Sequence, residues 1–113
     1  YTSGSTGRPK GVVVTHAGIA SMIAGQAAGL AVTPASRVLL FASPSFDAAV
    51  WELCMALLTG ARAVLGDADE LLPGPTLAAL IAEHGVTHAT LPPSALPVLP
   101  EDALPPGATL VVA

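Results

Sequence analysis

The densest group of chemically active side chains stands near the start of the chain, in residues 2–11. The segment reads Thr-Ser-Gly-Ser-Thr-Gly-Arg-Pro-Lys-Gly, so hydroxyls, glycines and two cations follow one another closely. Glycines let the backbone turn tightly and aim successive N–H groups at one point, which makes an anion-binding nest. Ser and Thr hydroxyls add further donors, and Arg8 and Lys10 add positive charge. This glycine-rich loop (residues 2–11) therefore predicts a polyphosphate site.

Two other interpretations of the glycine-rich loop fit its sequence less well. A flexible Gly/Ser/Thr linker rarely orders hydroxyls, glycines and cations in this way. A Walker-type P-loop has the pattern Gly-x4-Gly-Lys-Ser/Thr, with the lysine at the start of a helix. Here Gly4, Gly7 and Lys10 are spaced differently, and Lys10 is followed by glycine and a β-branched run. The Walker interpretation fails on both spacing and context.

A second constellation lies in the middle of the chain, where Asp47 and Trp51 are four residues apart in a predicted helix. Residues at this spacing share one helix face. A carboxylate beside a large aromatic ring suits a ligand that has a cation and an apolar body. The alternative is that Asp47 serves only the helix N-terminus, where an acid contributes roughly 0.3–1 kcal/mol. The residues alone leave both interpretations open.

The other candidate residues predict no further site. The histidines lack acidic or cysteine companions at metal-ligand spacing, so we expect no metal site; they are His16, His84 and His88. Cys54 is the one cysteine and cannot form an intramolecular disulfide, so we expect it in the core. We expect Phe46 to pack in the core and Glu52 to be solvated or structurally paired.

The composition excludes several classes of protein. Charged residues make up 11% and apolar residues 52%, which excludes a charge-rich disordered chain. Four basic residues against eight acidic ones argue against nucleic-acid binding. Residues 11–36 form the longest low-charge stretch, but polar residues, Gly and Pro interrupt it, so we expect no membrane span. We expect a cytoplasmic chain of one domain at most, and its apolar character indicates an interior part of something larger.

Short β-rich runs alternate with helical patterns along the chain. The predicted strands are residues 11–15, 37–42, 61–65, 86–91 and 108–112. The predicted helices are residues 16–30, 45–58, 76–83 and 94–99, with Ser45 as the N-cap of the second and Gly85 ending the third. Continuous Val/Leu runs between helices are typical of parallel strands buried on both faces. The pattern predicts an α/β fold, with a mostly parallel sheet and flanking helices.

The glycine-rich loop, together with Tyr1, resembles the phosphate-binding signature of the adenylate-forming superfamily. This superfamily includes acyl-CoA synthetases, luciferases and adenylation domains of nonribosomal peptide synthetases. Similarity continues through residues 15–19, 46–52, 57–61 and 90–94, and it is strongest to amino-acid-activating adenylation domains. The resemblance implies that residues 1–113 are a partial AMP-binding (adenylation) domain, truncated at both ends and belonging to the large N-terminal subdomain. The adenine, ribose and catalytic-lysine motifs are then expected beyond Ala113.

The resemblance also implies roles for individual residues. Those expected to bind ATP are Thr2, Ser3, Gly4, Ser5, Thr6, Gly7 and Lys10, with Thr6 and Lys10 acting in catalysis. Asp47 is expected to pair with the α-ammonium group of an amino acid. The residues expected around the substrate side chain are Ala48, Trp51, Ser94, Val111 and Ala113. Because these are mostly apolar and partly small, the implied substrate is a neutral hydrophobic amino acid such as phenylalanine.

The implied reaction uses ATP with Mg²⁺ and forms an aminoacyl-adenylate. The aminoacyl group then passes to phosphopantetheine on a peptidyl carrier domain, with a condensation domain in the same assembly line. Two alternatives stay open. One is an acyl- or aryl-CoA synthetase of the same superfamily, and the other is a non-catalytic nucleotide-binding domain.

Overall fold

Helices and strands alternate along the chain in a computed structural model that describes residues 1–2 and 7–113. The elements follow in this order: a 3-10 helix at His16–Gly18, α1 (Ile19–Gly29), β1 (Arg37–Leu39), α2 (Asp47–Leu57), β2 (Arg62–Val64), α3 (Pro75–His84), β3 (His88–Leu91), a 3-10 helix at Pro93–Val98 and β4 (Thr109–Val112). Among the described residues, no helix combines the length and the apolar character that crossing a membrane requires.

The strands form a parallel sheet in the spatial order β2-β1-β3-β4. Thr90 of β3 lies opposite Val111 of β4, and Leu91 lies opposite Val112. The connections from β1 to β2 and from β2 to β3 each contain a helix, as parallel strands require. The structure therefore confirms the predicted α/β fold with a parallel sheet and flanking helices.

Helix α3 shows how local sequence sets the element boundaries. Pro75 stands at the first helical position, where its missing N–H leaves no helical bond unmade. Gly85 follows the helix with φ 58° and ψ 46°, a left-handed conformation that glycine adopts without a Cβ clash. Its N–H donates to the carbonyl of Ala82, and the next N–H, that of Val86, donates to Ile81. These bonds satisfy carbonyls of the last turn.

Helices pack on both faces of the sheet because successive strand residues point to opposite sides. On one face, Leu77 and Ile81 of α3 belong to a buried cluster with Leu39 of β1. On the other face, Met55 of α2 is buried with Val38, the residue before Leu39. The sheet thus separates two apolar clusters, and α1 joins α2 on the second face through a bond from Gln26 Nε2 to the carbonyl of Trp51 (3.0 Å).

The sequence predictions for residues 11–15 and for the start of α2 are wrong. Residues 11–15 form no strand, and Val13 is 92% exposed. A β-branched run favours a strand when neighbours pack against it, and no described strand pairs with this one. Ser45 is not the N-cap of α2, because the helix begins at Asp47 and Phe46 occupies the capping position with no side-chain bond.

The prediction that Phe46 packs in the core is also wrong. Phe46 is 67% exposed and lines a cavity at the carboxyl end of the sheet. Phe46 precedes α2 with extended backbone, φ −111° and ψ 149°. It therefore stands outside the apolar face that the helix turns toward the sheet.

Candidate functional site

The glycine-rich loop is closed at its base by a pair of backbone hydrogen bonds. Thr2 N–H donates to the carbonyl of Lys10, and Lys10 N–H donates to the carbonyl of Thr2, both at 2.9 Å. Gly7 has φ 77°, a value that side-chain-bearing residues rarely adopt. Arg8 and Lys10 are exposed. The remaining predicted phosphate contacts, Ser3, Gly4, Ser5 and Thr6, lie outside the described residues.

Glu52 holds the segment that connects β1 to α2. Its Oε2 accepts hydrogen bonds from the backbone N–H groups of Phe41 (3.0 Å) and Ala42 (2.9 Å). These are the residues where the sequence predicts β1 to continue. The strand ends early because their N–H groups turn to this carboxylate, whereas Leu40 N–H still reaches Val64 of β2. The next residues of the chain lead directly to Asp47.

Glu52 is 1% exposed. Of the two expectations for this carboxylate, solvated or structurally paired, the structure therefore supports the second. Desolvation by burial raises the pKa of Glu52 from 4.5 to about 7, and the two backbone hydrogen bonds partly oppose this rise. Its second oxygen, Oε1, has no hydrogen-bond partner among the described residues. The sequence signal for this role is slight, since an acid five residues after Asp47 resembles an ordinary helix-surface residue.

Asp47 is the first residue of α2 and is exposed. At this position the partial positive charge of the helix N-terminus favours an ionised carboxylate. Trp51, one turn further along, is half-buried. The predicted sharing of one helix face is confirmed, because both residues line the same cavity.

Two adjoining cavities open at the carboxyl end of the sheet. The first, of about 420 Å³, is lined mainly by the β1–α2 segment and the end of β3. The second, of about 590 Å³, extends between α2, α1 and β4 and includes Trp51, Val111 and Met22. Four residues line both cavities and form what we call the shared wall: Asp47, Ala48, Thr90 and Ala113. Volumes of this size suit a small-molecule ligand.

The structure brings most of the sequence-predicted substrate residues together. The residues that line one or both cavities are Asp47, Ala48, Trp51, Val111 and Ala113. Ser94 is the exception, since it lies exposed in the 3-10 helix after β3 and lines neither cavity. Although α2 and β4 are far apart along the chain, the parallel sheet brings the amino end of α2 and the carboxyl end of β4 to the same edge.

Thr90 belongs to the shared wall although the sequence did not suggest it. It is 5% exposed, and its hydroxyl has no hydrogen-bond partner among the described residues. Along β3 the side chains alternate, with Ala89 and Leu91 in the apolar cluster under α3. Polar His88 and Thr90 occupy the alternate positions. This alternation is the signal in the sequence that could have identified Thr90.

The histidines do not join the cavities. His88 is buried, its Nε2 donating to the carbonyl of Leu30 (2.9 Å) while its Nδ1 lies 2.8 Å from the Thr87 hydroxyl. Because a carbonyl only accepts, Nε2 carries the proton. His84 ends α3, and its carbonyl accepts a bond from Arg37 Nη1 (2.8 Å). Within residues 1–2 and 7–113, no three metal-ligating side chains converge.

Comparison with known proteins identifies the family. The family model described as AMP-binding enzyme matches residues 1–109 of the chain. The chain belongs to the AMP-binding enzyme family. Over all 113 residues, this AMP-binding chain is 57% identical to CymA of Salinispora arenicola, described as a probable nonribosomal peptide synthetase.

Two solved structures of adenylation domains share the fold of this AMP-binding chain. One is an NRPS protein with adenylation and PCP domains bound to a vinylsulfonamide inhibitor (TM-score 0.79, 40% identity over 98% of the chain). The other is the Vibrio cholerae adenylation domain AlmE in complex with glycyl-adenosine-5'-phosphate (TM-score 0.77, 25% identity over 86% of the chain). These comparisons confirm the resemblance to adenylation domains that the sequence motifs indicate.

The chain spans a small part of these relatives. It covers 1% of the length of CymA, and 20% and 18% of the chains in the two solved structures.

Proposed function

We propose that the protein carrying this chain is an ATP-dependent ligase that converts an amino acid to its aminoacyl-adenylate. The substrate carboxylate attacks the α-phosphorus of ATP, a new P–O bond forms, and pyrophosphate leaves. The observation that carries the proposal is Asp47, an acid at a helix N-terminus on the wall of a mostly apolar cavity. Family membership and the glycyl-adenosine-5'-phosphate in complex with AlmE support it.

The chemistry of Asp47 favours a substrate that carries an ammonium group. A carboxylate that a ligand shields from water is destabilised unless a cation pairs with it. The walls around it are apolar apart from Thr90, and small Ala48 and Ala113 leave room beside Trp51. We therefore propose a neutral hydrophobic amino acid such as phenylalanine as substrate, with Asp47 binding its α-ammonium group. The prediction that Ser94 contributes stays a prediction.

The described part of the glycine-rich loop fits a polyphosphate. The loop is tied at its base, Gly7 turns the backbone, and Arg8 and Lys10 present exposed positive charge. In the proposal, the residues that hold the ATP phosphates are Thr2, Ser3, Gly4, Ser5, Thr6, Gly7 and Lys10. Mg²⁺ would neutralise phosphate charge when bound. Lys10 and the Thr6 hydroxyl stabilise the charge that builds on the leaving pyrophosphate, which is the main requirement of phosphoryl chemistry.

The proposal extends to a carrier domain as acceptor. A phosphopantetheine thiol attacks the aminoacyl carbonyl, a thioester forms, and AMP leaves. The support is the NRPS protein whose solved structure contains an adenylation and a PCP domain. A condensation domain in the same assembly line would use the thioester next.

Amino-acid-dependent exchange of pyrophosphate into ATP by the full-length protein tests the proposal. We expect exchange with neutral hydrophobic amino acids. We expect Asp47→Ala to lower it about 30-fold or more, because removing one partner of a desolvated charge pair costs about 2–5 kcal/mol. Asp102→Ala, which removes an exposed acid that lines neither cavity, is the matched control.

Three results would overturn the proposal. Full exchange by the Asp47→Ala variant would remove Asp47 from ammonium binding. A wild-type preference for a carboxylic acid without an amine, with CoA as acceptor, would assign the protein to the acyl-CoA synthetases instead. Absence of exchange with any acid would favour a non-catalytic nucleotide-binding domain.

A further inference from the structure

A short segment of chain after β1 stands between two cavities. Phe41, Ala42 and Ser43 line the first cavity, of about 420 Å³, and the same three residues line a third cavity, of about 590 Å³, to which Glu52 also contributes. We call residues 41–43 the partition segment. Because open space borders it in both cavities, packing supports this segment less than it supports a buried strand. A segment with few packed neighbours needs hydrogen bonds to keep one position.

The carboxyl group of Glu52 supplies these hydrogen bonds. Its Oε2 accepts from the N–H groups of Phe41 (3.0 Å) and Ala42 (2.9 Å). The last bond to the neighbouring strand is made one residue earlier, by Leu40 N–H to the carbonyl of Val64. In the described part of the chain, no backbone carbonyl accepts from the N–H groups of the first two partition residues. One side-chain oxygen therefore determines where the partition segment lies relative to α2.

This contact joins two parts of the wall of the first cavity. The partition segment forms one part, and Asp47 and Ala48 form another part from α2, the helix that also carries Glu52. The chain between the two parts is a tight turn, in which the N–H of residue 46 donates to the carbonyl of residue 43 (2.9 Å). A bond from α2 back to the partition segment therefore fixes the distance between the two parts of the wall.

We propose that Glu52 is a positioning residue for amino-acid binding, because it holds the partition segment against α2 and so sets where Asp47 stands in the first cavity. This inference rests on the proposed function. Burying a polar group that is not fully hydrogen-bonded destabilises a fold, and Oε1 of Glu52 has no partner among the described residues. An apolar residue of similar size would pack here without that penalty, so core packing alone does not account for a glutamate.

The proposed role needs an acceptor oxygen at the right distance and does not need a charge. The amide oxygen of glutamine has two lone pairs, so it can accept from both N–H groups. Methionine has a similar length, but its thioether sulfur is only a weak acceptor. Aspartate keeps the carboxylate and is shorter by a methylene group. Glu52→Gln, Glu52→Met and Glu52→Asp therefore separate the acceptor from the charge and from the length of the side chain.

These variants of the full-length protein are compared by steady-state kinetics of adenylation, with the amino acid and ATP varied in turn, and by melting temperature. Thr59→Val is the matched control. The Thr59 hydroxyl donates to the carbonyl of Met55 (2.7 Å) beyond the other end of α2, and Thr59 lines none of the three cavities. The control thus removes a side-chain bond to the backbone of α2 and leaves the partition segment untouched.

We expect Glu52→Met to lower kcat/KM for the amino acid about 10- to 100-fold, because displacing a binding group by about 1 Å can cost about 100-fold. The loss should lie mainly in the KM for the amino acid, and the KM for ATP should change less than threefold. Glu52→Gln and Thr59→Val should stay within threefold of wild type in every constant. Glu52→Asp should lie between Glu52→Gln and Glu52→Met.

A double variant tests whether Glu52 acts through Asp47. Residues that act as a unit have non-additive effects when both are changed. In the Asp47→Ala background, we therefore expect Glu52→Met to lower kcat/KM for the amino acid less than threefold further. Fully additive losses would show that Glu52 acts independently of Asp47 and would overturn the inference.

Three further results would overturn it while leaving the proposed function intact. The first is a KM for the amino acid within twofold of wild type in Glu52→Met, or in Glu52→Asp if the methionine variant does not fold. The second is an equal loss in Glu52→Gln and Glu52→Met, and the third is an equal rise in the KM for ATP and for the amino acid. Absence of amino-acid-dependent exchange by wild type would instead overturn the proposed function.

Discussion

The glycine-rich loop and the Asp47 cavities are held in place by different physical means. The loop is tied at its base by two backbone hydrogen bonds, and the valines that follow it are exposed. The cavities are built on the carboxyl end of a parallel sheet, between helices that pack on its faces. The loop therefore depends on residue types and backbone freedom, whereas the cavities depend on tertiary packing. Variants of the two regions should have separable effects on ATP and on the amino acid.

The largest effect expected in the loop is that of Lys10→Ala. Removing a positive charge aimed at developing negative charge typically lowers catalysis about 10²–10³-fold. We expect a loss of this size in kcat/KM for ATP, with the KM for the amino acid changed less than twofold. Asp47→Ala should instead raise the KM for the amino acid and change the KM for ATP less than twofold. Steady-state kinetics with each substrate varied in turn measures both.

Arg62→Ala serves as the control for Lys10→Ala, because Arg62 is an exposed cation on β2 outside both cavities. It should leave both kinetic constants near wild type. If Lys10→Ala raised the KM for the amino acid as strongly as it lowered the use of ATP, the two regions would act as one site and the contrast between them would be lost.

Glu52 is expected to produce a smaller, pH-dependent effect on the stability of the cavity region. Burial raises its pKa from 4.5 to about 7, so between these values the folded state keeps a proton that the unfolded state releases. The free energy of unfolding therefore falls as pH rises through this window, and the loss is complete above about pH 7. Glu52→Gln, an uncharged mimic of the protonated acid that keeps an acceptor oxygen, should flatten this dependence.

Denaturant unfolding of the full-length protein at pH 5 and pH 8 measures the Glu52 effect. For each protein, the free energy of unfolding at pH 8 is subtracted from that at pH 5. The difference for wild type is then compared with the difference for Glu52→Gln, because other groups titrate in both proteins and cancel. Glu52→Ala, which cannot accept from Phe41 and Ala42, should be less stable than Glu52→Gln at both pH values. Identical pH dependence in wild type and Glu52→Gln would show that the buried carboxyl does not titrate in this range.

The smallest effect is expected from Ser94→Ala. Family resemblance predicts a substrate contact at Ser94, but this residue is exposed and lines neither cavity. We expect the KM for the amino acid to change less than threefold. A tenfold rise would mean that the ligand extends beyond the cavities along the 3-10 helix at Pro93–Val98. The binding site would then include Ser94.

Much of this architecture follows from sequence patterns. Alternation of helical and buried β-rich runs predicts the parallel sheet, and Pro75 with Gly85 predicts the limits of α3 because both residues constrain the backbone locally. The spacing of Asp47 and Trp51 predicts their common face for a similar reason, as helix geometry is regular.

The features that sequence patterns do not reveal depend on contacts between distant residues. β1 ends early because Glu52 takes the N–H groups of Phe41 and Ala42, a contact that no local pattern encodes. The valine run at residues 12–14 favours a strand by composition alone, yet no described strand lies beside it. The alternation along β3 marks Thr90 as a polar residue opposite the apolar cluster, but its place in the shared wall becomes visible only when β3 lies next to the Asp47 end of α2.

The register between β3 and β4 limits how this cavity can change during evolution. Thr90 faces the cavity and pairs with Val111, while the next pair, Leu91 and Val112, follows one residue along. A one-residue slip would exchange the faces of the slipped strand, placing a core leucine at the wall and a threonine among the apolar residues under α3. Substitutions can therefore retune ligand preference one side chain at a time. Insertions or deletions within these strands would instead exchange the ligand-facing and core-facing layers at once.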